Sequence, residues 1–227
     1  MTLEDYKEGQ VLLIDKPLNW TSFQVVNKIR WHIRKKFNIK KIKVGHAGTL
    51  DPLATGLLIL CTGKFTKKIE TYQAKIKEYT GEITLGATTP SYDLETEIDK
   101  TFSTDHISEE LIHETTKQFI GEIDQKPPIF SAIKKEGRRL YELARAGETT
   151  EIKSRKITIS EFEITTINLP RIEFRVVCSK GTYIRSLAYD FGQALNSGGH
   201  LSRLRRTKIG EFNVENGTTI DEFIEAL

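Results

Sequence analysis

Hydrophobic positions change their spacing several times along the chain, and each change marks an element. Gly9–Ile14 (G-Q-V-L-L-I) is a mostly apolar run that stops at Lys16-Pro17, which predicts a short buried strand. Thr21 or Ser22 then caps a helix in which Phe23, Val26, Ile29, Ile33 and Phe37 recur at i, i+3, i+4 spacing. Ile42–Val44 leads into a glycine-bearing loop, Leu57–Thr62 leaves it as a strand, and Lys67–Gln73 can form a short helix. Lys75–Gly86 alternates as a strand does, and Thr88–Glu95 is a loop. The next helix has Ser108 as N-cap and Leu111, Ile112 and Phe119 on its apolar face; Lys126-Pro127-Pro128 ends it. Lys153–Ile167 and Ile172–Cys178 alternate again, Tyr183–Leu195 has helical spacing, Leu201–Phe212 reads as a basic strand pair, and Ile220–Leu227 closes as a helix. Strands and helices are mixed without a βαβ rhythm, which argues α+β.

Composition adds one asymmetry. The 227 residues are 38% hydrophobic, enough for one large core or a core with a small appendage, and the net charge is only +3. Yet Lys28–Lys43 holds eight Lys or Arg and no acid, while Asp93–Asp124 holds ten acids against Lys100 and Lys117. A basic face set against an acidic one suits a polyanion partner better than a membrane, although either patch alone reads equally well as a solvated charge run. Cys61 and Cys178 lie in apolar runs without C-x-x-C spacing, as buried reduced thiols do. No apolar leader or membrane span stands out, so a soluble, cytoplasmic protein is expected.

Candidate chemistry concentrates in Val44–Cys61, V-G-H-A-G-T-L-D-P-L-A-T-G-L-L-I-L-C. Pro52 biases Asp51 toward extended backbone. Asp-Pro is also a common helix start, with Asp as N-cap. Gly56 would close such a helix after barely one turn, and the apolar run that follows looks like a buried strand. A stiff, irregular loop carrying one carboxylate is the better expectation. Gly63-Lys64 with Thr66 hints at a phosphate loop, but that motif needs glycine at position 58 and Ser or Thr at 65, where Leu58 and Phe65 stand.

Ile129–Gly147 has another character. Lys134, Lys135, Arg138, Arg139 and Arg145 alternate with Phe130, Leu140, Tyr141 and Leu143. That pattern fits an element closing on nucleic acid or, equally from spacing, an exposed amphipathic helical hairpin.

G-H-A-G-T-L-D-P-L-A-T-G-L-L resembles the catalytic motif of the TruB-type tRNA pseudouridine synthases. D-K-P-L-N-W-T-S (Asp15–Ser22), K-E-Y-T-G-E-I-T-L-G (Lys77–Gly86), C-S-K-G-T-Y-I-R-S-L (Cys178–Leu187) and G-H-L-S-R-L-R-R (Gly199–Arg206) follow in family order. The resemblance covers nearly the whole chain. It implies the pseudouridine synthase fold, a mixed and largely antiparallel sheet with flanking helices and a central catalytic cleft. The implied reaction isomerises uridine 55 in the T-loop of tRNA to pseudouridine, without cofactor or metal.

By the same resemblance Asp51 is the nucleophile and Arg185 the guanidinium that keeps it ionised. Tyr79 stacks on the target base and can serve in proton transfer. His46 helps open the T-loop around the flipped uridine, and Tyr183 and Leu204 contact the nucleotide. Lys16 and Pro17 are scaffolding, and Asp93 joins the polar network. Arg203, Arg205, Arg206 and Lys208 are expected at phosphates, together with Lys134, Lys135, Arg138 and Arg139 of an RNA-gripping insertion at about 126–150. For each, core packing or an ordinary surface position is the plain alternative. One catalytic domain over 1–227 is expected, without the C-terminal PUA-like domain of many bacterial relatives, acting as a monomer on the T-arm of tRNA. Two rivals stay open: an RNA chaperone that folds tRNA with catalysis incidental, and a pseudouridine synthase acting on other RNAs.

Overall fold

A computed structural model of the chain describes residues 1–227 apart from 132, 136 and 149, and describes residues 134 and 135 by backbone alone. In chain order the elements are α1 (Leu3–Glu8), β1 (Val11–Lys16), α2 (Ser22–Lys36), β2 (Val44–His46), β3 (Ala54–Thr62), α3 (Ile69–Ala74), β4 (Lys77–Leu85), β5 (Ala87–Thr88), β6 (Lys100–Thr101) and α4 (Glu109–Thr116). Then come β7 (Gly121–Gln125), β8 (Lys134–Lys135), β9 (Arg138–Arg139), α5 (Leu140–Arg145), β10 (Arg155–Asn168), β11 (Arg171–Cys178), α6 (Ile184–Ala194), β12 (Gly199–Ile209), β13 (Phe212–Asn213) and α7 (Ile220–Glu225). Every strand pairing whose direction is described is antiparallel except β12 against β3, so the fold is α+β with a mostly antiparallel sheet. No described helix is long and apolar enough to cross a membrane.

The chain groups into two compact units, Met1–Thr80 with Leu204–Leu227, and Gly81–Arg203. In the first unit β3 lies between β1, antiparallel, and β12, parallel, with β2 also paired to β3. The apolar run of β3 is buried on both faces. Leu58 and Leu60 pack with Ile14, Val25, Val26, Ile29, Ile33 and Phe223, while Leu57, Ile59 and Cys61 pack with Ala47, Ile209 and Val214. A strand enclosed on both sides has no polar face, so its sequence is a continuous apolar run rather than an alternation. Helix α2 begins with a capping box, Thr21 and Gln24 each satisfying the other's backbone N–H.

In the second unit the order is β4–β11–β10–β7. The long β10 changes phase at bulges, so that Ile157 and Ile159 and then Phe162 and Ile164 all reach the core face. Phe162 meets Phe119, Phe174 and Phe191 at centroid distances of 6.2, 6.0 and 5.4 Å, which seats α6. The basic insertion is a two-stranded hairpin, Lys134↔Arg139 and Lys135↔Arg138, followed by α5 rather than a helical hairpin. Leu201–Phe212 is one long strand with a two-residue return, not an equal pair. The N-terminal helix α1 and the edge strand β7 were not legible in the hydrophobic pattern.

Candidate active site

Asp51 sits half-buried in the loop between β2 and β3, and that loop is not a helix start: residues 52–53 turn, and the Ala54 N–H donates to Asp51 O at 3.1 Å. Three side chains from three elements hold its backbone. Ser22, the first residue of α2, accepts from the Leu50 N–H at 2.8 Å and donates to Leu50 O at 3.1 Å. Lys16, at the end of β1 and fully buried, donates through Nζ to Trp20 O at 2.6 Å, Pro17 O at 2.9 Å and Pro52 O at 3.4 Å. Arg206 on β12 is 1% exposed and donates from Nε to Leu57 O at 2.8 Å, from Nη2 to Gly48 O at 3.1 Å and from Nη1 to Thr49 O at 3.5 Å.

Local sequence explains the fit. Arg206 lies opposite Gly56 in the parallel β12–β3 register, where Gly56 has φ +103° and a Cβ would stand 2.3 Å from Arg206 O. Only glycine allows that conformation and that approach together. Leu204 is buried two residues earlier on the same face, beside Ala54. Tyr79 on β4 is also buried in this unit.

Electrostatics follow from burial. Desolvation brings the Lys16 ammonium down to about 8, with the Asp51 carboxylate working upwards and Arg206 downwards. Burial, then the Arg206 guanidinium, pushes the His46 imidazole below its ordinary value. His46 is therefore a neutral ring at physiological pH, suited to hydrogen bonding and stacking more than to carrying charge.

The second unit has its own polar centre. Arg185 on α6 is 4% exposed; its Nε is 3.5 Å from Asp93 Oδ2 and its Nη1 donates to Ser91 O at 3.3 Å. Asp93 in turn accepts from the Glu95 N–H at 3.0 Å and receives Thr89 and Ser91 hydroxyls on its carbonyl. Tyr183, the N-cap of α6, is clamped by Gln125, which accepts from its N–H at 2.8 Å and donates to its carbonyl at 3.0 Å. The Arg155 guanidinium lies 4.6 Å above the Tyr183 ring.

A model of the TruB family pseudouridylate synthase N-terminal domain matches residues 34–184, and one of the tRNA pseudouridylate synthase B C-terminal domain matches 185–227. The chain belongs to the TruB family. Its relatives include tRNA pseudouridine synthase B of Flavobacterium johnsoniae, 71% identical over 228 residues with both chains fully covered. The same enzyme of Phocaeicola vulgatus is 58% identical over 223 residues, 98% of this chain and 95% of the relative. Among solved structures, a chain of a Cbf5-Nop10-Gar1 complex superimposes with a TM-score of 0.72 at 30% identity, over 99% of this chain and 56% of that one. The TruB-family chain is thus a pseudouridine synthase, an isomerase, by membership.

The expected site residues of this TruB-family member fall into both units. Asp51, His46, Tyr79 and Leu204 belong to the first, Arg185, Tyr183 and Asp93 to the second. The expectation that Arg206 meets phosphate is corrected: its guanidinium is buried and committed to carbonyls of the Asp51 loop. Arg205 is half-exposed and held by Asp15 through Nη1–Oδ1 at 3.0 Å and Nη2–Oδ2 at 2.7 Å. Arg203 is exposed and bonded to Glu173, and Lys208 stands 3.4 Å from Glu78. Arg138 and Arg139 are exposed, Arg138 paired with Glu148 at 3.0 Å; the side chains of Lys134 and Lys135 lie outside what is described. Ser22, Gln125 and Arg155 were missed as supports. Ser22 sits in a quoted motif and could have been found there; nothing local marks the other two.

Proposed function

We propose that this enzyme converts a uridine in the T-loop of tRNA, position 55, into pseudouridine, acting as a monomer on the T-arm. What supports the substrate is its relatives, named as tRNA pseudouridine synthase B over their full length at up to 71% identity. What supports the chemistry is one observation: Lys16, Ser22 and Arg206 make one, two and three hydrogen bonds, six in all, with the backbone of residues 48–57 on either side of Asp51, five donated and one accepted by Ser22. A carboxylate held by its backbone, with the holding groups buried behind it, is a preorganised nucleophile.

In this mechanism the target nucleotide leaves its stack, at a cost of a few kcal/mol. The C1′–N1 bond breaks and N1 takes up a proton; the uracil turns, C1′ bonds to C5, and the C5 proton is lost. Nothing is oxidised or reduced, so no external donor enters. Asp51 supplies the nucleophile that carries the sugar or base through the detached stage. Arg185 is the cation that keeps that carboxylate ionised, a role resting on the C-S-K-G-T-Y-I-R-S-L stretch that carries it. Tyr79 stacks on the uracil and handles the C5 proton, Tyr183 and Leu204 contact the nucleotide, and neutral His46 assists flipping.

Tritium release from [5-³H]uridine-labelled tRNA tests this directly. Wild-type protein is expected to release one tritium per tRNA and Asp51→Asn none, with tRNA binding retained. An Asp51→Asn variant that still releases tritium at the wild-type rate removes the nucleophile assignment, and release from rRNA but not tRNA removes the substrate.

A further inference from the structure

The first unit carries a second concentration of charge that the Asp51 loop does not use. Arg30 and Arg34, one turn apart on α2, line a groove of about 680 Å³ together with Lys40, Lys41 and Lys43, which lead into β2, and Lys67, which follows β3. The lining segments are joined by backbone, the Gly63 N–H donating to Lys43 O at 2.9 Å. No acid lines this groove among the described residues. Its rim cations are already partnered, Lys7 with Glu4 at 3.7 Å and Lys64 with Glu8 at 2.6 Å. By contrast Arg34, Lys40, Lys41, Lys43 and Lys67 are exposed and form no ion pair with a described residue.

Helix chemistry accounts for part of this. Arg34, Lys35 and Lys36 occupy the last turn of α2, where carbonyl dipoles favour cations. Lys40, Lys41, Lys43 and Lys67 lie beyond that turn and line the same groove, so their mutual repulsion is offset by no ion pair with a described residue. An anionic partner removes it. Trp31, half exposed on the same helix with Lys35 Nζ 4.9 Å from its ring centre, is an aromatic surface of the kind that stacks on bases, although it does not line the groove itself.

We propose that this groove is a second RNA site, binding the phosphate backbone of the tRNA whose uridine meets Asp51; the proposal rests on the tRNA reading above. The nine residues of β3 separate the two places, roughly 30 Å at about 3.3 Å per residue. The groove therefore engages a part of the RNA remote from the flipped base, and a strand of phosphates fits a concave groove better than a planar lipid surface does.

The test uses the full chain with Lys40, Lys41 and Lys67, all exposed, changed together to Ala. Binding of unmodified full-length tRNA is measured from about 50 to 200 mM salt. The slope of log K against log[salt] is expected to fall by roughly 2–3 in magnitude, since each neutralised phosphate contributes about 0.7–0.9. The melting temperature and the rate on a short hairpin bearing the target uridine are expected to match wild type. An unchanged slope on full-length tRNA overturns the proposal, as does an equal loss on the short hairpin. Wild-type capture by phosphatidylserine vesicles, lost in the variant while the tRNA slope stays fixed, assigns the groove to lipid and also overturns it. Failure of the wild type to modify either RNA would instead sink the catalytic reading, leaving the slope to decide the groove.

Discussion

Arg206 donates to Gly48 O at 3.1 Å and to Leu57 O at 2.8 Å, and so ties the loop that carries Asp51 and the strand β3 that follows it to a single buried guanidinium. A planar fork with five donors can reach several carbonyls at once from one position; an ammonium cannot. Burying that charge is tolerable because the loop supplies acceptors where water would have been.

Arg206→Met is expected to lower stability by at least about 3 kcal/mol, since hydrogen bonds to a charged group contribute about 1.5–3 kcal/mol each and their carbonyls would be left buried. Arg206→Lys should fold but lose most of its turnover. Urea unfolding with single-turnover tritium release checks both. Unaltered stability with a shallower salt dependence of RNA binding would return Arg206 to the phosphate role.

Lys16 makes stability depend on pH. Its folded value is about 8 against 10.5 ordinarily, so below pH 8 both states are protonated and the folded state carries the full cost of a desolvated ammonium. Between those values the unfolded chain binds more protons, and stability rises with pH. The gain is about 3 kcal/mol across the whole interval at 1.36 kcal/mol per unit, and about 2 kcal/mol of it falls between pH 7 and 9.5. Denaturation of wild type and Lys16→Met at pH 7 and 9.5 measures it: the difference should move in favour of wild type at the higher pH. Parallel curves would contradict the shift.

Ser22→Ala removes both partners of the Leu50 peptide at once. Each buried, unsatisfied group costs about 1–3 kcal/mol, so a loss of about 2–6 kcal/mol is expected. Because Leu50 precedes Asp51, kcat should fall further than KM rises. A fall in stability with normal kcat would limit Ser22 to anchoring Leu50 for folding alone.

In the second unit, Asp93→Asn breaks a buried ion pair with Arg185, at a cost of about 3–5 kcal/mol. Replacing both, as Asp93→Asn with Arg185→Met, should recover part of that stability and none of the activity. Additive losses in the double-mutant cycle would mean the two do not act as a pair.

The elements were legible because their causes are local. The i, i+3, i+4 stripe of α2, the apolar run of β3 and the alternation of β11 each state a period and a degree of enclosure that neighbouring residues can express. The bulges of β10 were not, because a bulge is decided by the partner strand. The glycine-bearing loop motif, with Asp51 between Leu50 and Pro52, was equally plain in the sequence.

What the sequence determined by itself was the family, the element order and the acid at the centre of the loop, all carried by contiguous stretches. What only the tertiary structure decided was the fate of the charges. Arg205 and Arg206 are adjacent in a cluster that reads as uniformly phosphate-facing, yet the period of two in β12 turns one toward Asp15 and sends the other into the core. Lys16 is likewise a surface residue by type and fully buried in fact. A buried cation needs acceptors, and the carbonyls that receive Arg206 come from residues about 150 positions away in the chain, a proximity that only folding creates.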